Sequence, residues 1–113
     1  NLAPLFAQTS LDFIESFTPP PDCNMTVTEA RNSWPEKALL VNFPSSVFLN
    51  KYDILKSYCK SLISEVAIFN GVAIGISEDI PAGKADVMVQ MFRYLRDFSM
   101  MRQLRKDINE SVT

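Results

Sequence analysis

The chain of 113 residues has no histidine, three glycines, two cysteines and no long hydrophobic run. Without histidine there is no Ser-His-Asp or Cys-His arrangement, the commonest transition-metal ligand is missing, and no side chain has an unperturbed pKa near neutrality. Catalysis would have to rest on carboxylates, lysines, tyrosines or thiols. The expectation is therefore a protein that is not an enzyme and that carries neither a cofactor nor a metal. Gly71, Gly75 and Gly83 are spaced for neither a dinucleotide-binding turn nor a phosphate-cradling loop. No uncharged stretch approaches the roughly 20 residues that a membrane-crossing helix needs. The chain opens on Asn1 rather than Met, which fits a mature product whose leader has been removed, a processed fragment or a trimmed chain.

Neither charge sign dominates. Eleven basic and 13 acidic residues leave a net charge of -2, which favours neither nucleic acid nor an anionic membrane. The total averages two unlike ends. Residues 1–36 hold five acids against Arg31 alone, a net of -4, whereas residues 93–106 hold Arg93, Arg96, Arg102, Arg105 and Lys106 against Asp97, a net of +4. Such polarity steers a partner of opposite charge, or two copies head to tail.

A 12.8 kDa chain that is 47% apolar is expected to be a single domain over 1–113. Leu2, Leu5, Phe6, Phe13, Ile14 and Phe17 recur at threes and fours once Ser10 is counted in the stripe, which predicts an amphipathic helix over 2–17. Pro19, Pro20 and Pro21 stop it. Ser33 and Glu36 read as a capping box opening a short helix over 34–42, although Ala38-Leu39-Leu40-Val41 reads equally as a buried strand. Phe48, Tyr52, Leu55, Cys59, Leu62, Val66 and Phe69 alternate fours and threes, the mark of a helix packed at a shallow angle on other helices. Gly71 falls where a left-handed cap would end it. The run at 72–76 is a buried connection or a short strand.

A last helix over 82–108 carries Val87, Met88, Met91, Leu95 and Phe98 on one stripe. Beyond Phe98, Arg102 and Arg105 take that azimuth and Met101, Leu104 and Ile108 lie about a quarter turn round, so the last turns leave the core. The fold expected from all this is all-α, a small antiparallel four-helix bundle with one cross-linking disulfide. The alternative is α+β, with short strands near 38–43 and 72–76.

Joining Cys23 to Cys59 would pin the first loop onto the third helix, worth about 4 kcal/mol by loop closure. Asn24-Met25-Thr26 and Asn109-Glu110-Ser111 match the glycosylation pattern. With the paired cysteines they predict a secreted or extracellular glycoprotein. Met88, Met91, Met100 and Met101 give the last helix a flexible, polarisable surface suited to repacking against a partner. The functional expectation is a non-enzymatic binding module. It docks a protein partner, such as a cell-surface receptor or another subunit, through Arg93, Arg96, Met100, Met101, Arg102 and Arg105. One alternative is a helical carrier of a hydrophobic small molecule or lipid, held near Leu62, Val66, Ile74, Met88 and Met91. A second is a structural subunit that self-associates through the heptad stripe. Four guanidiniums without interleaved exposed aromatics argue against nucleic acid, and membrane contact through 72–76 is a minor alternative.

Overall fold

Ala38-Leu39-Leu40-Val41, equally readable as helix or strand, is the centre of a sheet. The computed structural model describes residues 2–112 and is mixed α/β. Its elements are α1 (Ala3–Ala7), β1 (Phe13–Phe17), α2 (Val27–Ser33), β2 (Ala38–Asn42), a 3-10 helix (Ser45–Leu49), α3 (Tyr52–Val66), β3 (Val72–Gly75) and α4 (Ala85–Val112). β1 and β3 flank β2, both parallel to it. Leu39 N donates to Gly71 O at 2.9 Å and Phe43 N to Gly75 O at 2.8 Å, which sets the register of β2 against β3. Parallel neighbours cannot be joined by a hairpin, so each connection carries a helix. α2 joins β1 to β2, α3 joins β2 to β3, and α4 follows β3.

Side chains alternate across a strand. Ile14 and Phe17 of β1, Leu39 and Val41 of β2, and Val72 and Ile74 of β3 all pack against the helices, where they meet Val27 and Ala30 of α2, Leu55, Cys59 and Leu62 of α3, and Met91 and Leu95 of α4. Burial of each large aliphatic side chain contributes about 1.5–3 kcal/mol. Among the described residues no helix covers the opposite face. There Phe13 and Ala73 are exposed while Ala38 and Leu40 are half-buried. Gly75 lies on that side too, since a Cβ there would meet Leu40 Cδ1 at 3.2 Å.

The expected antiparallel four-helix bundle is therefore corrected. Crossover helices between parallel strands run parallel to one another, which a bundle of antiparallel helices does not allow. The stripe at 2–17 splits into α1 and β1, because Phe13 and Ile14 pair with Ala38 and Leu39 and tertiary pairing overrides a short helical period. Lys37 Nζ holds the turn between them, donating to the carbonyls of Thr9 and Leu11. The capping box at Ser33 does not open a helix. It forms earlier, where Glu29 N donates to Thr26 Oγ1 at 3.1 Å and Thr26 N to Glu29 Oε2 at 2.7 Å, starting α2. Trp34 instead caps the end of α2. Its indole N–H donates to Ala3 O at 2.9 Å, and its ring meets Phe6 and Phe17 edge-on at 6.1 Å each. Residues 38–42 and 72–75 are strands. The heptad positions Leu55, Cys59, Leu62 and Val66 are buried in α3, but against the sheet and α4 rather than in a bundle core.

The cross-linking disulfide is corrected as well. Cys23 and Cys59 are both free, the first exposed in a loop and the second fully buried. The azimuth that places Cys59 in the core turns it away from that loop. Its neighbour Tyr58 makes the contact instead, donating its hydroxyl to Pro20 O at 2.6 Å.

Arg31, in the last turn of α2, ties two loops together. Nη1 donates to Trp34 O, Pro35 O and Lys37 O at 3.2, 3.1 and 2.7 Å, and Nη2 to Asn70 O and Gly71 O at 3.0 and 3.4 Å. The chains leading into β2 and β3 are thus held on one guanidinium. Gly71 has φ +68°, a left-handed conformation in which glycine is the unstrained residue. Arg31→Ala is expected to lower stability by about 1–3 kcal/mol, the net worth of hydrogen bonds to a charged group, with an unchanged slope in urea unfolding. Arg31→Lys should recover little of it, because an ammonium cannot fork.

Candidate functional site

A polar residue stands at or just beyond the end of each strand, and the parallel sheet brings the three together. Asn42, at the end of β2, has no exposed surface. Its Nδ2 donates to Thr18 Oγ1 at 3.1 Å, just beyond β1, and its Oδ1 accepts from Ser77 N at 2.9 Å, just beyond β3. Thr18 Oγ1 in turn donates to Ser16 O at 3.4 Å. Outside this line, Asp22 accepts from the backbone N–H and the hydroxyl of Ser46, tying the loop after β1 to the loop after β2. Burial, and then the nearby Asp22 and Glu65 carboxylates, push the Tyr58 hydroxyl far above its ordinary range. It therefore stays a donor to Pro20. In parallel sheets this carboxyl edge is where ligands are bound. Its residues were not found from sequence, yet two had a signal: Asn42 and Ser77 are the polar residues that close the apolar runs of β2 and β3, whereas Thr18 follows a strand that already carries Glu15 and Ser16.

The second candidate is α4. Its 28 residues span about 42 Å at 1.5 Å each, whereas the 15 of α3 span about 22 Å. Its distal half therefore outruns α3. Val87, Met88, Tyr94 and Phe98 pack on the core while Met91 and Leu95 are within it. Beyond them Met100, Met101, Leu104, Ile108 and Val112 are 58%, 54%, 55%, 60% and 81% exposed. Where α3 ends, a groove of about 820 Å³ opens between the helices. Ile63, Ala67, Phe98 and Ser99 form its walls, and Arg102, Arg105, Lys106 and Asn109 line it further along.

Of the docking residues read from sequence, Arg102 and Arg105 line the groove. Met100 and Met101 are exposed beside it. Arg93 is exposed, and Arg96 is exposed and bonded to its neighbour Asp97 at 2.9 Å, an exposed pair of little energetic weight. The carrier residues do come together: Leu62, Val66 and Met91 lie within the main core cluster, and Ile74 and Met88 pack against it. Val66 and Ile74 line a space of about 290 Å³ with Ile63, Phe69 and Val72. Asn24 and Asn109 are both exposed, but Asn109 is in α4 rather than in a tail. Among the described residues no three cysteine, aspartate or glutamate side chains cluster as a metal site requires, and no helix is long and apolar enough to cross a membrane.

The thiols differ sharply. Cys59 Sγ lies 3.8 Å from Met91 Sδ inside the core, and burial pushes its pKa from 9.0 up to about 11. Its neutral form is thus favoured by folding. That contribution is intact below pH 9 and is lost as the pH rises towards 11, because the unfolded thiol ionises first. Native protein should therefore lose stability across that alkaline window, by on the order of 2 kcal/mol, and Cys59→Ala should flatten this dependence in denaturant titrations. At neutral pH iodoacetamide is expected to modify Cys23 alone, with Cys59 reacting only after unfolding, as read by intact mass.

The chain matches no family model, and no curated protein and no solved structure is similar to it.

Proposed function

We propose that this chain is a binding module that docks a protein partner through the distal half of α4. The observation that carries the reading is the run Met100, Met101, Leu104, Ile108 and Val112, all exposed on a helix that has outrun its neighbour. Large apolar side chains grouped on a surface mark an interaction site. Methionine adds a side chain that repacks at low cost. The groove beside them supplies direction, because Arg102, Arg105 and Lys106 ring its apolar floor. Glu110, which also lines the groove, lies 3.9 Å from Lys106 in an exposed pair, so the net charge there stays positive. The matching surface is an apolar ridge bordered by acidic side chains. A glycan on Asn109 would fill this groove, so docking requires that residue unmodified. With both cysteines free, the cross-link no longer supports an extracellular location.

The test compares the tagged chain with two double variants, Leu104→Asp/Ile108→Asp and Arg102→Glu/Arg105→Glu, in the cells that make it. Both are expected to keep their helical circular dichroism, since all four positions lie outside the core. Each should weaken the partner by about 30-fold or more, the usual effect of removing interface anchors worth about 2 kcal/mol. Proteins held equally by all three forms would remove α4 as the site.

A further inference from the structure

The sheet offers a second unpartnered surface. We propose that the partner is a further parallel βα unit, different in sequence from this chain, whose strand pairs with the free edge of β3 and whose helix lies along α4. The proposal rests on the docking reading and names the partner for it.

Three observations carry the inference. The first is the bare face. Parallel sheets are covered on both sides and their strands read as apolar on both. β2 and β3, as ALLVN and VAIG, hold no charged residue on either face. Yet on the side away from the helices Ala73 is exposed, Leu40 is half-buried and Phe13 is 50% exposed. By alternation the polar side chains on this face are Glu15 of β1 and the buried Asn42 at the end of β2, so between them the face is apolar.

The second is the difference between the two edges. Edge strands are ordinarily blunted by charge, proline or a bulge. β1 is blunted: Glu15 is exposed on it, its pairing with β2 shifts between Ile14 and Phe17, and Ser16 takes φ 60°. β3 has none of these devices. The carbonyls of Gly71 and Gly75 point at β2, so by alternation the N–H and C=O groups of Val72 and Ile74 point outwards. A strand laid parallel to β3 would find this row ready to pair.

The third is the placement of α4. β3 followed by α4 repeats β1 with α2 and β2 with α3, and α4 packs beside α3 in the same helical layer. Its apolar stripe lies about a quarter turn from the side that faces the groove, where the helix of a neighbouring unit would rest.

A second copy of the chain fits these surfaces poorly. Two-fold pairing sets β3 against β3 antiparallel, which breaks the parallel order of the sheet. Head-to-tail pairing brings β3 to the bulged edge of β1. It also closes only at multiples of three strands, never at the about eight at which a parallel barrel fills its interior.

The experiment places the photoreactive residue p-benzoylphenylalanine at Ala73, at Leu104 or, as a control, at exposed Glu36, in the full chain within its own cells. Cross-linked peptides are read by mass spectrometry. The expected result is that Ala73 reacts with a strand and Leu104 with a helix of one βα unit lying outside residues 1–113, and that Glu36 does not. Reaction at Leu104 without reaction at Ala73 overturns the sheet-continuing partner and leaves docking through α4 standing. Reaction at neither position overturns both. Reaction with a second copy of the chain, or with different partners at the two positions, overturns the proposal. Should the Ala73 variant fail to fold, hydrogen exchange on the unsubstituted protein decides. The Val72 and Ile74 amides should exchange about a hundredfold more slowly with the partner bound, and unchanged exchange sinks the idea.

Discussion

Parallel pairing is the constraint from which the rest of this structure follows. A parallel neighbour can be reached only by carrying the chain back past the sheet, and that return is made economically by a helix. Once β1, β2 and β3 align in this way, α2 and α3 must lie alongside the sheet with their apolar stripes turned to it. Leu39, Val41, Val72 and Ile74 then share one face with Val27, Leu55, Cys59 and Met91. The other face is left to whatever else the protein meets. The same constraint gathers Thr18, Asn42 and Ser77 at one rim, because strands that run the same way end on the same side.

The two long helices, α3 and α4, were legible in the sequence, whereas α2 was not and the helix expected over 34–42 is the strand β2. Within the 3.5-residue period, Leu55, Cys59, Leu62 and Val66 mark α3 and are all buried, while Phe48 falls in the 3-10 helix, Tyr52 is exposed and Phe69 lies past the end of α3. That period reports one buried stripe, not whether a helix or a sheet buries it, so a bundle and a βα layer look alike at this level. Short apolar runs were the ambiguous ones: four or five residues such as Ala38–Asn42 or Val72–Gly75 are too few to separate a strand from a helical turn by period alone. Phe13–Phe17 misled for another reason. Its side chains completed a helical stripe begun at Leu2, and only pairing with Ala38 and Leu39 shows that the stripe was two elements in succession.

The polar rim was hidden by distance along the chain. Asn42 is 24 residues from Thr18 and 35 from Ser77, separations no local pattern spans. The exposed end of α4 was legible because its signal is local: Arg102 and Arg105 displace the stripe of Met91, Leu95 and Phe98. Cys23 and Cys59 show the opposite limit, since a sequence gives the number of thiols but not the direction in which each one points.

Arg31 and Asn42 hold opposite ends of the same sheet. At the amino end one guanidinium gathers the chains entering β2 and β3, and at the carboxyl end one amide bridges the residues leaving β1 and β3. A strand clamped at both ends cannot slide by a residue without losing hydrogen bonds at each, including those of the buried Asn42. The free edge of β3 is therefore presented in fixed register before anything reaches it. An incoming strand would have only its own chain to order, which lowers the entropic cost of association on this side.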